Sequence, residues 1–395
     1  MQKRIVMKYQ NNFSIYGLAG EIEPSNGYLC CLKKTEMRTG IITLIATLVL
    51  AGCRSQEEFI HHGHPKNVIL MIGDGMGIAQ IYAGMTANHG HLNIEKLPYT
   101  GLIKTYSATN YITDSGAGGT ALATGQKTYN KAIGISADSV PLKTILEIAE
   151  ENGLSTGLIA TSSILDATPA GFIAHQKHRG LYDSIATDLI HSGIDIFIGG
   201  GRKYFENRKD GANLTDSLRI NGYQIAYDTT ELKMYETGKI AALLANVHLP
   251  RISEGRGNML SLAVGNALSN LSGNDKGFFL MVEGSLIDKA CHDLDKNDII
   301  LETIDFDKAI GEALEFAAKD KNTLVIVTAD HETSGVSIPN GDFKTGMVEM
   351  KFAGNFHTGI PVPVFAYGPG AEEFTGFYEN TDIFNKMIRA FGFAD

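Results

Sequence analysis

A serine beside an aspartate opens a run of small residues that could carry out nucleophilic chemistry. Ser115 follows Asp114 and precedes the stretch 116–119, which contains only glycine and alanine. Residues 121–124 have helix-forming character. The pattern therefore predicts that Ser115 lies where a loop becomes a helix, among free backbone N–H groups and the positive end of the helix dipole. That position suits a nucleophile in an anion-binding site, although small-residue runs also allow tight packing without chemistry.

Acidic residues stand at the ends of three apolar runs. Continuous apolar runs that end in glycine or polar turns are typical of parallel strands buried on both faces. Asp74, Glu283 and Asp330 follow or end these runs. Ligands of open α/β sheets bind beyond the carboxyl ends of the strands, so the three carboxylates are expected to meet there. Their mutual repulsion would be relieved by cations. The runs occupy residues 68–72, 278–282 and 324–327.

Histidines supply nitrogen ligands for such cations. Asp288 and His292 are four residues apart, so a helix would place both on one face. His331 follows Asp330 directly, and His357 precedes another strand-like run. Imidazole and carboxylate ligands together suit zinc, whereas oxygen ligands alone suit magnesium. Each pair alone is an ordinary surface pair, but their joint occurrence at element ends predicts a metal centre.

The order of these motifs resembles that of the alkaline phosphatase family. The likeness runs from about Pro65 to the C-terminus and includes the additional stretch 166–170, Asp-Ala-Thr-Pro-Ala. It implies an α/β fold with a doubly wound, mostly parallel central sheet, helices on both faces and a reduced cap. The single catalytic domain is expected over residues 67–395.

The resemblance also assigns roles to individual residues. Ser115 matches the phosphorylated nucleophile, and Arg179 matches the arginine that binds the substrate phosphate. Lys289 matches a lysine that reaches the phosphate through water, and Asp114 is expected beside the substrate. The implied cofactors are two zinc ions and one magnesium ion. The implied ligands are Asp288, His292 and His357 for the first zinc, Asp74, Asp330 and His331 for the second, and Asp74, Thr168 and Glu283 for magnesium, with Asp166 holding its waters.

The implied reaction is hydrolysis of phosphate monoesters through a phosphoserine on Ser115. Two zinc ions would stabilise the attacking and leaving oxygens, and Arg179 would bind two phosphate oxygens. A structural alternative for Arg179 is a solvated cation at a helix end. Two other functions stay open: a phosphodiesterase of the same superfamily and a non-catalytic lipoprotein that binds phosphate or metal. Sulfatase activity is disfavoured because no Pro follows two residues after Ser115.

The N-terminal region predicts export and lipid attachment. The apolar run 41–50 is too short to span a membrane and suits a signal-peptide core. It ends in Leu-Ala-Gly before Cys53, which resembles a bacterial lipobox. We therefore expect an upstream extension over 1–36, a lipoprotein signal over 37–52, lipidation of Cys53 and a linker over 53–66, with an ordinary cleaved signal as the alternative. The expected location is the bacterial cell envelope, periplasmic or surface-facing.

Composition and motif spacing limit the classes of partner that the chain is expected to have. The net charge of −10 argues against nucleic-acid binding. The stretch 203–258 is polar and without motifs, which predicts a surface insertion. Only 25 residues separate His331 from His357, which leaves little room for the larger cap that many relatives carry. Because that cap often pairs subunits, a homodimer is implied by the resemblance but left open by this spacing.

Overall fold

The structure is a computed structural model that describes residues 64–393. All of these residues belong to one compact unit. The predicted extension, the signal segment, Cys53 and most of the linker lie outside the described residues. Within 64–393, no helix has the length and apolar character that a membrane span requires.

A large sheet of ten strands forms the centre of this unit. Its strand order is β14-β2-β13-β8-β1-β7-β3-β4-β6-β5. Four further strands form two small two-stranded sheets, β10 with β11 and β9 with β12. In chain order, the strands are β1 Asn67–Gly73, β2 Tyr99–Lys104, β3 Ser155–Ser163, β4 Ile196–Gly200, β5 Gln224–Ala226, β6 Ile240–Ala245, β7 Phe278–Gly284, β8 Thr323–Thr328, β9 Glu332–Thr333, β10 Ser337–Asp342, β11 Met347–Lys351, β12 His357–Thr358, β13 Val362–Tyr367 and β14 Gly376–Glu379.

The sheet is mostly parallel. The seven neighbouring strands from β8 to β5 are all paired in parallel, and only β13 runs against its two neighbours. Every residue of β1, β7 and β8 is buried. Burial on both faces explains why these strands are continuous apolar runs instead of alternating patterns. The predicted α/β fold with a mostly parallel central sheet is confirmed.

Helices connect the strands and cover the sheet. Three 3₁₀ turns occupy Asn93–Lys96, Ile252–Glu254 and Ala371–Phe374. The α-helices are α1 Ile78–Ala87, α2 Ser115–Thr124, α3 Ile145–Glu151, α4 Ala167–Ala170, α5 Tyr182–His191, α6 Lys203–Glu206, α7 Leu214–Ile220, α8 Thr229–Met234, α9 Met259–Leu271, α10 Leu286–His292, α11 Lys296–Asp320 and α12 Thr381–Phe391.

Two separate groups of helices pack on the sheet. Helices α1, α9 and α10 all contact α11, and α2, α3, α4 and α12 form a second group. The longest helix, α11, buries Ile299, Phe306, Ile310 and Leu314, which are spaced seven, four and four residues apart and so form one apolar face. Asp295 caps its N-terminus by accepting hydrogen bonds from two backbone N–H groups.

The prediction that 203–258 is a surface insertion is wrong. This stretch contributes β5 and β6, which extend the main sheet beyond β4. The first four residues of β6 are buried. The apolar run that forms β6 is six residues long, but half of them are alanine and one alone is β-branched, so its strand signal is weak. The short interval between His331 and His357 holds the exposed β10–β11 hairpin.

Candidate active site

The chain brings the predicted acidic residues to one edge of the sheet. Strands β1, β7 and β8 are neighbours and parallel, so their carboxyl ends lie side by side. Ile72 of β1 pairs with Glu283 on one side and with Thr328 on the other. Asp74 and Asp330 stand two residues beyond Ile72 and Thr328, and all three carboxylates therefore meet at the same edge, as the strand pattern predicts.

Ser115 is the first residue of α2, at the loop-to-helix junction that its sequence suggests. The Asp114 carboxylate caps this helix by accepting from the N–H of Ala117 at 3.1 Å, and it also accepts from the N–H of Lys131 at 2.9 Å. All ten residues of α2 are buried. The Ser115 Oγ lies 3.3 Å from Nε2 of His331. The helix thus points its hydroxyl, and its positive end, at the carboxylate edge of the sheet.

One candidate metal group consists of Asp74, Asp330 and His331. A ligand atom from each lies within 4.8 Å of the others, and all three residues are buried. Nε2 of His331 is 3.5 Å from Oδ1 of Asp74 and 3.2 Å from Oδ2 of Asp330. The other oxygen of Asp330 accepts from the backbone N–H of Gly75 at 3.2 Å. These are the residues that the resemblance assigns to the second zinc.

A second group shares the His331 imidazole and adds Asp288 and His357. His292 adjoins it, because its Nε2 lies 3.3 Å from Oδ2 of Asp288 and 3.0 Å from Nε2 of His357. Asp288 and His292 lie on α10, so the predicted i,i+4 spacing does place them on one helix face. The residues assigned to the first zinc are therefore adjacent, with the aspartate between two imidazoles.

Hydrogen bonds orient the three imidazoles toward this centre. Nδ1 of His292 lies 2.8 Å from the carbonyl of Asn355, and Nδ1 of His357 lies 3.0 Å from the carbonyl of Thr113. A carbonyl can only accept, so each Nδ1 carries the proton and Nε2 is the ligand atom. Two Nε2 atoms that face each other at 3.0 Å need a proton or a cation between them. This outer shell of carbonyl acceptors is typical of metal-binding histidines.

His331 is oriented by Thr333. The Thr333 hydroxyl donates to Oδ1 of Asp288 at 2.6 Å, so its oxygen accepts from Nδ1 of His331 at 3.2 Å. The strand pair β9–β12 brings Thr333 opposite His357. Gly75 makes room for this hydroxyl: its φ is +71°, and a Cβ there would lie 2.7 Å from the Thr333 oxygen. The Gly73-Asp74-Gly75 turn thus requires glycine at its last position.

The residues assigned to magnesium lie on the neighbouring strand ends. Asp166 caps α4, in which Thr168 is buried. Glu283 accepts from the hydroxyl of Ser285 at 2.5 Å and shares a hydrogen bond with Asp74. Oγ1 of Thr168, Oδ1 of Asp74 and Oδ2 of Asp330 are buried without a hydrogen-bond partner. Buried oxygens without partners are costly in a protein interior.

The electrostatics of these carboxyl groups fit bound cations. Burial raises the pKa of Glu283 to about 8, and the charges of Asp166 and Asp330 add to the shift. Burial likewise raises the pKa of Asp330 to about 7, with Asp288 contributing, and holds that of Asp74 well above its usual range. Cations would replace these protons and satisfy the unpaired oxygens at the same time. The donor set therefore fits metal ions, with mixed nitrogen and oxygen ligands at one end and oxygen ligands alone at the other.

At the histidine end of the site, the pKa shifts leave one imidazole protonated, another neutral and the carboxylate ionised. Its hydrogen bond with Asp288 raises the pKa of His292 to about 9. Burial and the neighbouring His357 hold the pKa of His331 well below its usual range, so its Nε2 presents a lone pair. Burial alone would raise the pKa of Asp288, but the hydrogen bond to His292 and the imidazole charges outweigh it and lower that pKa.

Arg179 lies between two carboxylates beside Ser115. Its two terminal nitrogens are 3.3 Å from Oδ2 of Asp114 and 3.2 Å from Oδ1 of Asp166. Burial would lower the pKa of Arg179, but Asp166 and Asp114 raise it. Lys289 reaches the other oxygen of Asp166 at 3.4 Å. Arg179 is thus held by ion pairs at the site and is not a free cation at a helix end.

Two neighbours of the centre carry no sequence prediction. Thr333 stands two residues after His331, and this spacing within the matched motif was the available signal. His248 lies in the loop after β6, where its Nδ1 accepts from the N–H of Ser163 at 3.2 Å and its Nε2 lies 3.5 Å from Nζ of Lys289. No motif surrounds His248, so only the fold reveals its place.

Comparisons with known proteins agree with this geometry. The family model described as Alkaline phosphatase matches residues 65–350. Alkaline phosphatase 4 of Bacillus subtilis is 37% identical over 408 residues, covering 82% of this chain and 88% of that protein. The alkaline phosphatase of Escherichia coli K12 is 33% identical over 405 residues, covering 83% and 86%. The solved structure of alkaline phosphatase from the Antarctic bacterium TAB5 has a TM-score of 0.80 and 43% identity, covering 84% of this chain and 100% of that one. The chain therefore belongs to the alkaline phosphatase family and is a metal-dependent phosphatase.

Proposed function

We propose that the chain hydrolyses phosphate monoesters through a phosphoserine formed on Ser115, with two zinc ions and one magnesium ion as cofactors. The observation that carries the proposal is the position of the Ser115 hydroxyl. Its Oγ lies 3.3 Å from Nε2 of His331, an imidazole that belongs to both candidate metal groups. A serine hydroxyl is a weak nucleophile unless a base or a metal activates it, and this position offers activation by metal.

The proposed reaction has two steps. Oγ of Ser115 forms a bond to phosphorus while the ester P–O bond breaks and the alcohol leaves. Water then attacks phosphorus, the Oγ–P bond breaks, and inorganic phosphate is released. Zinc ions bound by the two histidine-containing groups would supply positive charge that stabilises the attacking and leaving oxygens.

Arg179 is suited to bind the phosphate in both steps. Its fork of N–H donors matches two phosphate oxygens. Asp114 and Asp166 each accept a hydrogen bond from one of its two terminal nitrogens, so the guanidinium is oriented before substrate arrives. Lys289, paired with Asp166, adds a second positive charge within reach of the phosphate or of a water bound to it.

Magnesium would be held by Asp74, Thr168 and Glu283, with Asp166 binding its waters. The unpaired Oγ1 of Thr168 supports this assignment. A site of this kind distinguishes monoesterases from the related diesterases, which generally resemble the family without it. The proposed substrate is therefore the dianionic end of a monoester.

The test is turnover of p-nitrophenyl phosphate beside bis-p-nitrophenyl phosphate, between about pH 6 and 11. The protein would be stripped with a chelator and then supplied with zinc and magnesium, separately and together. Monoester turnover that requires zinc and far exceeds diester turnover supports the proposal. Dominant diester turnover would assign the chain to the phosphodiesterase branch, and absence of both with metals bound would leave a binding protein.

We further propose that Cys53 carries a lipid that anchors the protein in the bacterial cell envelope. The proposal rests on the apolar run 41–50 and the Leu-Ala-Gly-Cys stretch that ends at Cys53. Metabolic labelling with a fatty acid should mark the native chain but not Cys53→Ala. Homodimerisation, which the resemblance implies, is tested by light scattering during gel filtration.

A further inference from the structure

A cavity of 490 Å³ opens immediately after Arg179 along the chain. Two segments line it: residues 180–184, which lead into α5, and residues from Lys203 to Lys209, which include α6. Neither segment contributes to the metal groups described above. The cavity is therefore separate from the site of bond breaking, but its lining residue Gly180 directly follows the phosphate-binding Arg179.

Two stacked tyrosines form one wall of this cavity. The rings of Tyr182 and Tyr204 are 4.6 Å apart and inclined by 14°. Nζ of Lys203 lies 4.7 Å from the centre of the Tyr204 ring, a cation–π contact that holds the ammonium at the wall. Lys209 stands at the exposed rim. Among residues 64–393, neither lysine forms an ion pair, so both charges are available to a ligand.

Backbone contacts connect this wall to the active site. The N–H of Lys203 donates to the carbonyl of Asn246 at 3.1 Å, two residues before His248. The chain just before this segment also packs against the His248 loop, because a Cβ at Gly200 would lie 3.3 Å from Cα of His248. On the other side, burial raises the pKa of Tyr182 to about 12 and the charge of Asp166 adds to the shift. The cavity therefore adjoins the segment that follows Arg179 on one side and the loop that carries His248 on the other.

His248 lies against Lys289 as a neutral hydrogen-bond donor. Because Nδ1 of His248 accepts from the N–H of Ser163, its proton is on Nε2, which faces Nζ of Lys289 at 3.5 Å. Two donors that face each other are satisfied by an acceptor that both can reach. Lys289 thus lies between Asp166, the partner of Arg179, and His248, whose loop binds the backbone of Lys203 at the cavity.

We propose that this cavity binds a second anionic group of the substrate, so that monoesters bearing another phosphate are preferred to those bearing one. The inference rests on the proposed monoesterase function and deepens it. The second group would be held by Lys203 and Lys209, the two lysines that line the cavity. Asp183 also lines the cavity, but two lysines face this one carboxylate, and the balance favours an anion.

The experiment compares glucose 6-phosphate with glucose 1,6-bisphosphate on the full, metal-loaded chain. Release of the 6-phosphate is measured for each. The kcat/KM ratio should favour the bisphosphate by about tenfold, the effect of one charge-assisted hydrogen bond, and should fall with added salt. Lys203→Ala and Lys209→Ala should each lower the ratio, whereas Lys203→Arg should keep most of it.

Lys319→Ala is the matched control, because it removes the same charge from the exposed end of α11. A ratio near one in the wild-type protein, or a ratio that Lys203→Ala and Lys209→Ala leave unchanged, would overturn the inference. Failure of the proposed function is separate, because it would abolish p-nitrophenyl phosphate turnover as well. In that case the binding of glucose 1,6-bisphosphate is measured by calorimetry. Lys203→Ala should weaken this binding if the inference holds, and unchanged binding would overturn the inference.

Discussion

Oγ of Ser115 lies 3.3 Å from Nε2 of His331, and that same nitrogen faces the carboxylates of Asp74 and Asp330. The contact joins two parts of the chain that are more than 200 residues apart. One is the N-terminus of a buried helix, and the other is the loop after a central strand. A cation bound by His331 would therefore lie beside the Ser115 hydroxyl, at the start of the helix that Asp114 caps.

Replacing this hydroxyl should abolish turnover without emptying the metal groups. Ser115→Ala is expected to lower kcat for p-nitrophenyl phosphate by at least about 10⁴-fold, as loss of a nucleophile does in other covalent enzymes. Zinc and magnesium content, measured by elemental analysis, should stay unchanged because the metal groups do not include the serine. Acid-quenched wild-type protein should yield a phosphorylated Ser115 peptide. Ser269→Ala on the exposed side of α9 serves as the control; full activity in Ser115→Ala would contradict a covalent route.

Thr333 should control metal affinity through two ligands. Thr333→Val removes the hydroxyl that donates to Asp288 and accepts from His331 while nearly conserving volume. Loss of such an orienting contact is expected to weaken zinc binding by about 10–100-fold. Competition with a chromophoric chelator measures the affinity. Thr333→Ser, which keeps the hydroxyl, should bind zinc nearly as the wild type does; equal affinity in the valine variant would refute this role.

The strand ends could be predicted from the sequence because burial on both faces leaves a continuous apolar run. The proximity of Asp288 and His292 could also be predicted, because helix geometry alone brings residues four apart together. The place of β6 could not be predicted, because its six residues include three alanines and a single β-branched residue, whereas the equally long β8 is rich in valine and isoleucine. His248 could not be found either, since its contacts depend on where the loop after β6 crosses the sheet edge.

Gly118 should be required because α2 packs directly on a metal-ligand loop. A Cβ at this position would lie 3.1 Å from both Cβ and the carbonyl oxygen of Asp330. Gly118→Ala is therefore expected to displace Asp330 and to weaken zinc binding and kcat together. Gly265 in α9 provides the control, because no atom lies within 4 Å of a Cβ there. Gly265→Ala should raise the free energy of unfolding by about 0.5–1 kcal/mol, the usual helix-interior gain. Unchanged zinc affinity in Gly118→Ala would contradict the close-packing argument.

The metal-free protein should lose stability as pH rises from weakly acidic to weakly alkaline. Glu283 and Asp330 have folded-state pKa values of about 8 and about 7, raised by burial. Between about pH 4, where unfolded carboxyl groups titrate, and pH 8, these two groups therefore hold more protons in the folded state than in the unfolded chain. His331, whose pKa is lowered by burial, opposes them only below its ordinary value of about 6.5. Stability falls with rising pH wherever the folded state holds more protons. His292, with its pKa raised to about 9, acts in the same direction because its contribution is lost as pH rises through that value.

Thermal unfolding measures this effect. With a chelator present, the Tm should fall as the pH is raised in steps between about 4 and 8. Zinc and magnesium should flatten the dependence, because the cations take the place of the protons and stabilise the ionised carboxylates. Glu283→Gln removes one of the titrating groups and should reduce the slope in the metal-free protein. A Tm that rises between pH 5 and 8 with chelator, or a slope that Glu283→Gln leaves unchanged, would mean that these buried carboxyl groups do not govern the stability of the site.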